Sequence, residues 1–391
     1  MFRNRPILLT MIPPIFQSHL RSQLSPAQYI LLEMLVRLLQ TLRCVKLESL
    51  AESLPLPILF ESRRKKLQRF LSLPQFALES LWLPLILAWM EETFRPGHTL
   101  YLAIDRTSWG HVNLLVVSLV WRRRGFLLWC EPLDKLGSSN YDEQVGLFQK
   151  ILPQLSSYKV VVLGDREFCS VKLGRWLGQA GVYFCLRLKR NTEIQGAECL
   201  RQQLQQLGLA PGQKLFLNDV QVTQTKGFGG FNLAAKWKKR YRGFAPEEAW
   251  FILTNFATLD TAIKSYQKRF SIEEMFRDYK EGGYCLEGCK ATGGRLGSIV
   301  MLIAIAYSSA ALEGQQFKRQ GLQRYIARPE SLTSTVTRHS AFRVGLAAYR
   351  WAALGDELLT QSAEALMKLS PNKLPEYQRG IRAMKLVMAG L

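Results

Sequence analysis

Two aspartates stand where apolar runs give way to polar chain. Asp105 follows Tyr-Leu-Ala-Ile, and Asp165 follows Val-Val-Val-Leu and Gly164. Such runs read as buried strands. If the two strands are adjacent and parallel, both carboxylates meet at one edge of the sheet, where α/β proteins tend to place sites. Two close carboxylates repel, and the usual remedies are a shared proton or a bound cation. Oxygen-only ligands favour Mg²⁺, with Mn²⁺ able to substitute. Taken singly, each aspartate also reads as a strand-end cap. A third acid lies further on. Tyr266, Arg269, Glu273 and Lys280 sit at offsets 0, 3, 7 and 14, which on a helix at about 100° per residue fall within roughly 60° of arc. Glu274 would lie about 80° from Tyr266, on another side. This stripe suits phosphate chemistry, with Glu273 completing metal ligation while Arg269 and Lys280 hold phosphate oxygens. Surface ion pairing accounts for the charges but not for Tyr266 or the shared face.

The elements that must position these groups follow from the hydrophobic pattern. Strands are predicted at Tyr101–Asp105, Val112–Trp121, Phe126–Cys130, Tyr158–Leu163 and Val182–Leu188, with helices at Asp142–Leu152 and Ser170–Gln179. Three strands, then helix, strand, helix, strand is the order of an RNase H-like α/β core. Residues 191–249 alternate in short runs broken by turn residues, which predicts a β-rich insertion. The strand Trp250–Thr254 and a single amphipathic helix from Thr261 to about Glu281 come next. The fold class expected is therefore α/β, an RNase H-like mixed-sheet core over 96–310 with a β-rich insertion at 191–249. Helical regions at 1–95 and 311–391 would flank it.

Composition narrows the partners. The 391 residues include 52 Lys and Arg against 31 Asp and Glu, a formal charge of +21, and 48% are hydrophobic. The apolar content excludes a disordered basic tail, and the charge points to a polyanion. The basic-then-apolar start, Met1–Phe16, is interrupted by Pro13 and Pro14 and lacks a small-residue cleavage site, so it does not read as a signal peptide. Ala77–Met90 carries Glu79 and Pro84, and Ile299–Leu312 is shorter than the roughly 20 residues of a span, so both are expected as buried helices with no membrane partner. Seven scattered cysteines fit reduced thiols in a cytoplasmic protein, and the close pair Cys285 and Cys289 lacks a second pair for zinc. A helix at Leu47–Leu54, a break, and a helix with Arg63, Arg64, Lys65, Lys66 and Arg69 read either as a loose helix-turn-helix contacting DNA or as a solvated basic face on an ordinary helical bundle. The basic and aromatic cluster Lys236–Phe244 is a second candidate nucleic-acid surface, or a solvated hairpin.

Tyr266-x2-Arg269-x3-Glu273-x6-Lys280 resembles the signature of the insertion-sequence DDE transposases in their cut-and-paste branch, family four. Ile104-Asp105 resembles the first motif of that family and Asp165-Arg166-Glu167 the second. Trp250-Phe-Ile-Leu-Thr254 resembles the strand before the signature helix. The resemblance spans about residues 100–310. It implies that Asp105, Asp165 and Glu273 hold two Mg²⁺ ions, and that Tyr266, Arg269 and Lys280 grip phosphates of a transposon end. It also implies a dimer that cuts DNA at terminal inverted repeats and joins the 3′-OH ends to target DNA in the cytoplasm, at the nucleoid. Trp250 would stack on a flipped base in hairpin-forming members, or would be a core aromatic. The link from Thr254 to Tyr266 is short, a departure from the family pattern. Two rival functions share the fold: a catalytically inactive DNA-binding regulator, and an RNase H-like nuclease without strand transfer.

Overall fold

The computed structural model describes residues 12–56, 58–196, 199–223, 228–239, 247–330, 338–353, 372 and 374–390. Two compact units share the chain. One combines Met1–Trp89 with Arg277–Leu391, and the other is Met90–Phe276. The first opens with α1 (Pro14–Gln23) and α2 (Pro26–Leu42). Pro26 starts α2 without losing a helical hydrogen bond, and Ser25 and Gln28 close a capping box around its first turn. Next come α3 (Leu47–Ser53) and α4 (Phe60–Phe70), which realise the expected helix, break and basic helix. A π-helical turn at Leu78–Trp82 leads into α5 (Leu83–Thr93).

The second unit is built on one ten-stranded mixed sheet. Strands β1 (Thr99–Trp109), β2 (Val112–Trp121) and β3 (Arg124–Pro132) form an antiparallel meander. The helix α6 (Tyr141–Ile151), capped by Asn140 and Glu143, returns the chain to β4 (Lys159–Gly164). Ser170 then caps α7 (Val171–Gln179), and β5 (Tyr183–Arg187) follows. β4 lies parallel to both β1 and β5. The segment predicted as an insertion supplies β6 (Glu193–Gly196), β7 (Cys199–Gln203), β8 (Lys214–Val222) and β9 (Phe228–Lys236). These strands form no sheet of their own. β9 pairs with β10 (Trp250–Thr254), which pairs with β5, so the strand order is β3-β2-β1-β4-β5-β10-β9-β8-β6-β7. β10 is buried throughout, and Val112–Leu119 of β2 likewise, the pattern of strands covered on both faces. Part of the basic and aromatic cluster at 236–244, namely residues 240–244, lies outside the described residues.

Two expectations need correction. β1 does not end on Asp105 but runs on to Trp109, paired with β2. What ends there is the parallel ladder with β4, whose last register pair is Ile104 and Gly164. The single helix expected over Thr261–Glu281 is three pieces: α8 (Leu259–Tyr266), a 3₁₀ turn at Gln267–Arg269, and α9 (Phe270–Tyr279).

The first unit is completed by α10 (Gly293–Arg319), α11 (Gln323–Ile326), α12 (Ala341–Ala353) and α13 (Leu374–Gly390). α10 is long and apolar enough to cross a membrane, yet 89% of its most apolar window is buried inside the protein, as a core helix would be. It crosses α12 at backbone contact. A Cβ on Gly314 would collide with the Ala341 carbonyl, and one on Gly345 with that of Ala310. α2 packs on the same helix pair, where the buried Gln40 donates to the Ala306 carbonyl at 2.6 Å and accepts from Tyr284 Oη at 3.0 Å.

Candidate active site

Asp105 and Asp165 are the residues immediately after the last parallel register pair of β1 and β4. Parallel register therefore sets them side by side. Gly164 is required there because a Cβ would lie 2.8 Å from that of Phe168 and 3.0 Å from a methyl of Leu186. The glycine lets the 3₁₀ turn Arg166–Phe168 fold back on the strand end. Asp165 caps this turn, its Oδ1 accepting from the Glu167 N–H at 2.8 Å. Asp105 is held similarly, Oδ1 accepting from the Arg106 N–H at 2.7 Å. Its side chain is only 17% exposed. Burial, then the charge of Asp165, pushes the Asp105 carboxyl up to about 7, against the opposing pull of the Arg106 N–H and the Arg269 guanidinium.

Arg269 binds the third acid to the first. Its guanidinium reaches Asp105 Oδ2 at 3.4 Å and Glu273 Oε1 at 2.5 Å, with the side chain just 6% exposed. Burial works against its charge but is outweighed by Tyr266, Glu273 and Asp105, so its pKa is raised. Glu273 itself is 49% exposed. Glu274 points elsewhere, to Arg124 of β3 at 3.2 Å. α9 can sit this close to β3 because Gly125 has no side chain: a Cβ would stand 3.0 Å from the Ser271 carbonyl and 3.3 Å from the Ile272 Cα.

The remaining members of the stripe go different ways. Tyr266 is fully buried in a cluster with Val161, Leu163, Cys185, Ile252 and Trp250, and burial raises its pKa. Trp250 is 8% exposed, edge-on to Tyr266 with ring centroids 5.2 Å apart, and Lys238 Nζ lies over its ring at 4.3 Å. It stands as a core aromatic with a cation over it. Lys280 follows the end of α9, falls in the other unit and pairs with Glu287 there at 2.6 Å. On α4, Arg63 donates to the Glu52 and Leu54 carbonyls at the end of α3, and Arg64 pairs with Glu48 and Glu61. Lys65 and Lys66 are exposed.

Several polar groups at the site were not apparent from spacing. Arg106 Nε lies 3.1 Å from both oxygens of Glu167, and Glu167 Oε1 also accepts from the Ser139 N–H and hydroxyl. Arg106 further donates to Asn113 Oδ1 at 3.0 Å, and the Asn113 amide donates to the Lys135 and Gly137 carbonyls. Arg166 and Arg187 converge on one oxygen of Glu248, at 2.8 and 2.6 Å. The Asp-Arg-Glu run at 165–167 was the one signal that could have exposed part of this.

The donors of the aspartate pair fit a hard divalent cation: both are carboxylates, mutually repelling, with Oδ1 of each already satisfied by backbone. Glu273 does not complete a three-acid group, because Arg269 stands between it and Asp105. Among the described residues no set of three or more His, Cys, Asp or Glu side chains is gathered to hold a metal ion.

Comparison with known proteins bears on this geometry. Residues 124–308 match the family model described as a transposase DDE domain. The matched segment includes Asp165 and Glu273 and begins after Asp105. This match, over just under half of the chain, supports a resemblance to DDE transposases. No curated protein matches the chain. A similar solved structure is the piggyBac transposase synaptic complex with hairpin DNA, determined by cryo-EM. It is 11% identical, with 92% of this chain and 82% of that chain covered and a TM-score of 0.45.

Proposed function

We propose that the protein is a DDE transposase with an RNase H-like core, which cuts the ends of a mobile DNA element and joins the freed 3′-OH ends to target DNA. The observation that carries this reading is the pair Asp105 and Asp165, side by side where two parallel strands part, with Glu273 tied to Asp105 through Arg269. The strand order β3-β2-β1-β4-β5, with helices between β3 and β4 and between β4 and β5, supports the RNase H-like assignment. The formal charge of +21 suits a DNA partner. Asp105 and Asp165 would hold Mg²⁺ or Mn²⁺, and Glu273 would join them as third ligand only once Arg269 turns from it to a DNA phosphate. Bound there, such cations supply Lewis acidity at the scissile phosphate and lower the pKa of the attacking water. Arg269, already aimed at carboxylate oxygens, offers the planar fork that also binds a phosphate. The 3′-OH released by the first cut would be the nucleophile of the joining step, so no covalent protein–DNA bond is needed. Action as a homodimer on two DNA ends, in the cytoplasm, belongs to the same proposal.

The test is cleavage of a labelled duplex carrying the inverted repeats that flank the coding sequence, with Mg²⁺ or Mn²⁺. Wild type should nick it to leave a 3′-OH, whereas Asp105→Asn, Asp165→Asn and Glu273→Gln should bind without cutting. Cleavage by Glu273→Gln together with loss in Glu274→Gln would overturn the assignment of the third acid. A second reading, a DNA-binding regulator that does not cut, is favoured by the Arg269 bridge across Asp105 and Glu273. It predicts binding to the same duplex with no metal-dependent nick from the wild-type protein.

A further inference from the structure

We propose that Arg106 and Glu167 form a positioning clamp that fixes the spacing and orientation of the Asp105 and Asp165 carboxylates. This rests on the reading of those two aspartates as cation ligands. Each carboxylate takes its orientation from one backbone N–H, Asp105 from that of Arg106 and Asp165 from that of Glu167. The two residues that supply those N–H groups are joined to each other by side chains, Nε of Arg106 lying 3.1 Å from both Glu167 oxygens. The result is a closed ring: Asp105, Arg106, Glu167, Asp165, and back across the parallel register of β1 and β4. Backbone pairing between these two strands stops at Ile104 and Gly164, so beyond that pair β1 keeps its ladder with β2 but has none with the chain leaving β4. The clamp joins the two chains where their shared ladder has stopped.

Both clamp residues are themselves fixed. Arg106 is 20% and Glu167 14% exposed at the side chain, and a partly desolvated, hydrogen-bonded Arg–carboxylate pair is stronger and more directional than a surface one. Asn113 on β2 accepts from the far side of the guanidinium, and the Ser139 N–H and hydroxyl both donate to Glu167. Asn113 and Ser139 also tie the β3–α6 connection into the ring, through the Lys135 and Gly137 carbonyls and through Gln144. Because successive strand side chains face opposite ways, Arg106 makes these contacts without occupying the face that Asp105 presents. The clamp therefore holds the two carboxylates without competing for their ligand. Groups that orient ligands in this way typically govern affinity by about 10- to 100-fold.

The experiment is Mn²⁺ binding to the full-length protein without DNA, followed by electron paramagnetic resonance, for wild type, Glu167→Gln, Arg106→Lys and Asp105→Asn. Thermal melting of the metal-free proteins is measured alongside. Glu167→Gln keeps the shape of the side chain but removes its charge, and Arg106→Lys keeps the charge but loses the planar guanidinium that reaches Glu167 and Asn113 together. The clamp predicts that each weakens Mn²⁺ binding about tenfold or more, and that saturating Mn²⁺ restores most of the cleavage rate, separating lost affinity from lost chemistry. A variant that fails to fold is set aside for the other. If a folded Glu167→Gln or Arg106→Lys binds Mn²⁺ as wild type while Asp105→Asn does not, the clamp is overturned and the ligand assignment survives. If Asp105→Asn itself binds as wild type, the ligand assignment fails and the clamp falls with it.

Discussion

Replacing Asp105 by Asn removes a carboxylate that the fold keeps protonated well above its usual range. The unfolded chain ionises an aspartate near 3.8, and the folded chain ionises Asp105 near 7. Between about pH 4 and 7 the native state thus holds one more proton than the unfolded state, and stability falls as pH rises. The gap is about three pH units at roughly 1.4 kcal/mol each, so the metal-free protein loses about 4 kcal/mol on this account by pH 8. About 3 kcal/mol of that loss falls between pH 5 and 8. Arg269 pulls the other way, but at 3.4 Å it is a looser partner than Glu273 has, and burial plus the charge of Asp165 dominate. Asparagine carries no charge to desolvate. Urea unfolding of both proteins in EDTA, across pH 5 to 8, should therefore show the variant gaining on wild type by about 3 kcal/mol as pH rises. Millimolar Mg²⁺ at pH 8 should stabilise wild type and leave the variant unmoved. If the stability difference is constant with pH, the burial argument is wrong. If the variant instead loses ground with rising pH, Asp105 acts in the fold mainly as the partner of Arg269.

Other substitutions test the packing around the site. Trp250→Ala should destabilise by about 3–5 kcal/mol through the cavity left beside Tyr266 and Phe270, read as an early thermal melt; an unchanged melting temperature would exclude the core position. Gly125→Ala should cost about 1–3 kcal/mol, since the new methyl meets the Ser271 carbonyl and Ile272 Cα, and calorimetry would show whether α9 can instead give way. On α4, Arg63→Ala should lower stability by about 1 kcal/mol by freeing two carbonyls of the α3 end. Lys65→Ala with Lys66→Ala should leave the melt alone and reduce the salt dependence of DNA binding by about two phosphate contacts; an unchanged slope would mark these lysines as a solvated face.

The parts of the fold set by local pattern were legible in the sequence. The apolar runs at 112–121 and 250–254 are β2 and β10 residue for residue, and Ser170 stands at the helix start that its type suggests. The adjacency of Asp105 and Asp165 followed from two similar strands with acids after them. The broken helix was not legible. Nothing between Leu259 and Tyr279 is glycine or proline, and the 3₁₀ turn at Gln267–Arg269 is seen only once Arg269 is known to reach across to β1. The turn also upsets the single-stripe geometry, sending Tyr266 into the core while Arg269 and Glu273 stay together. The Arg106–Glu167 pair joins residues 61 positions apart, and no periodicity connects them. Alternation likewise predicts strands at 191–236, but not that β9 would seek β10 as its partner, since alternation tells which face of a strand is buried and not which strand lies beside it.

The division of the chain has a consequence for the order in which the protein can be made. Residues 90–276 form one unit as a continuous stretch, whereas the other unit needs both the first 89 residues and those from Arg277 onward. During synthesis the sheet unit can close as soon as its own last helix has emerged. The early helices must wait with their apolar faces open until α10 and α12 arrive, at roughly 5–20 residues per second. Until then Gln40 has neither the Ala306 carbonyl nor the Tyr284 hydroxyl, and α2 lacks two of the helices it packs against. Nascent chains halted once α9 has emerged should thus protect the sheet from protease while α1–α4 are still cut, and a fragment ending near residue 95 should be a client for chaperones rather than a free-standing DNA reader.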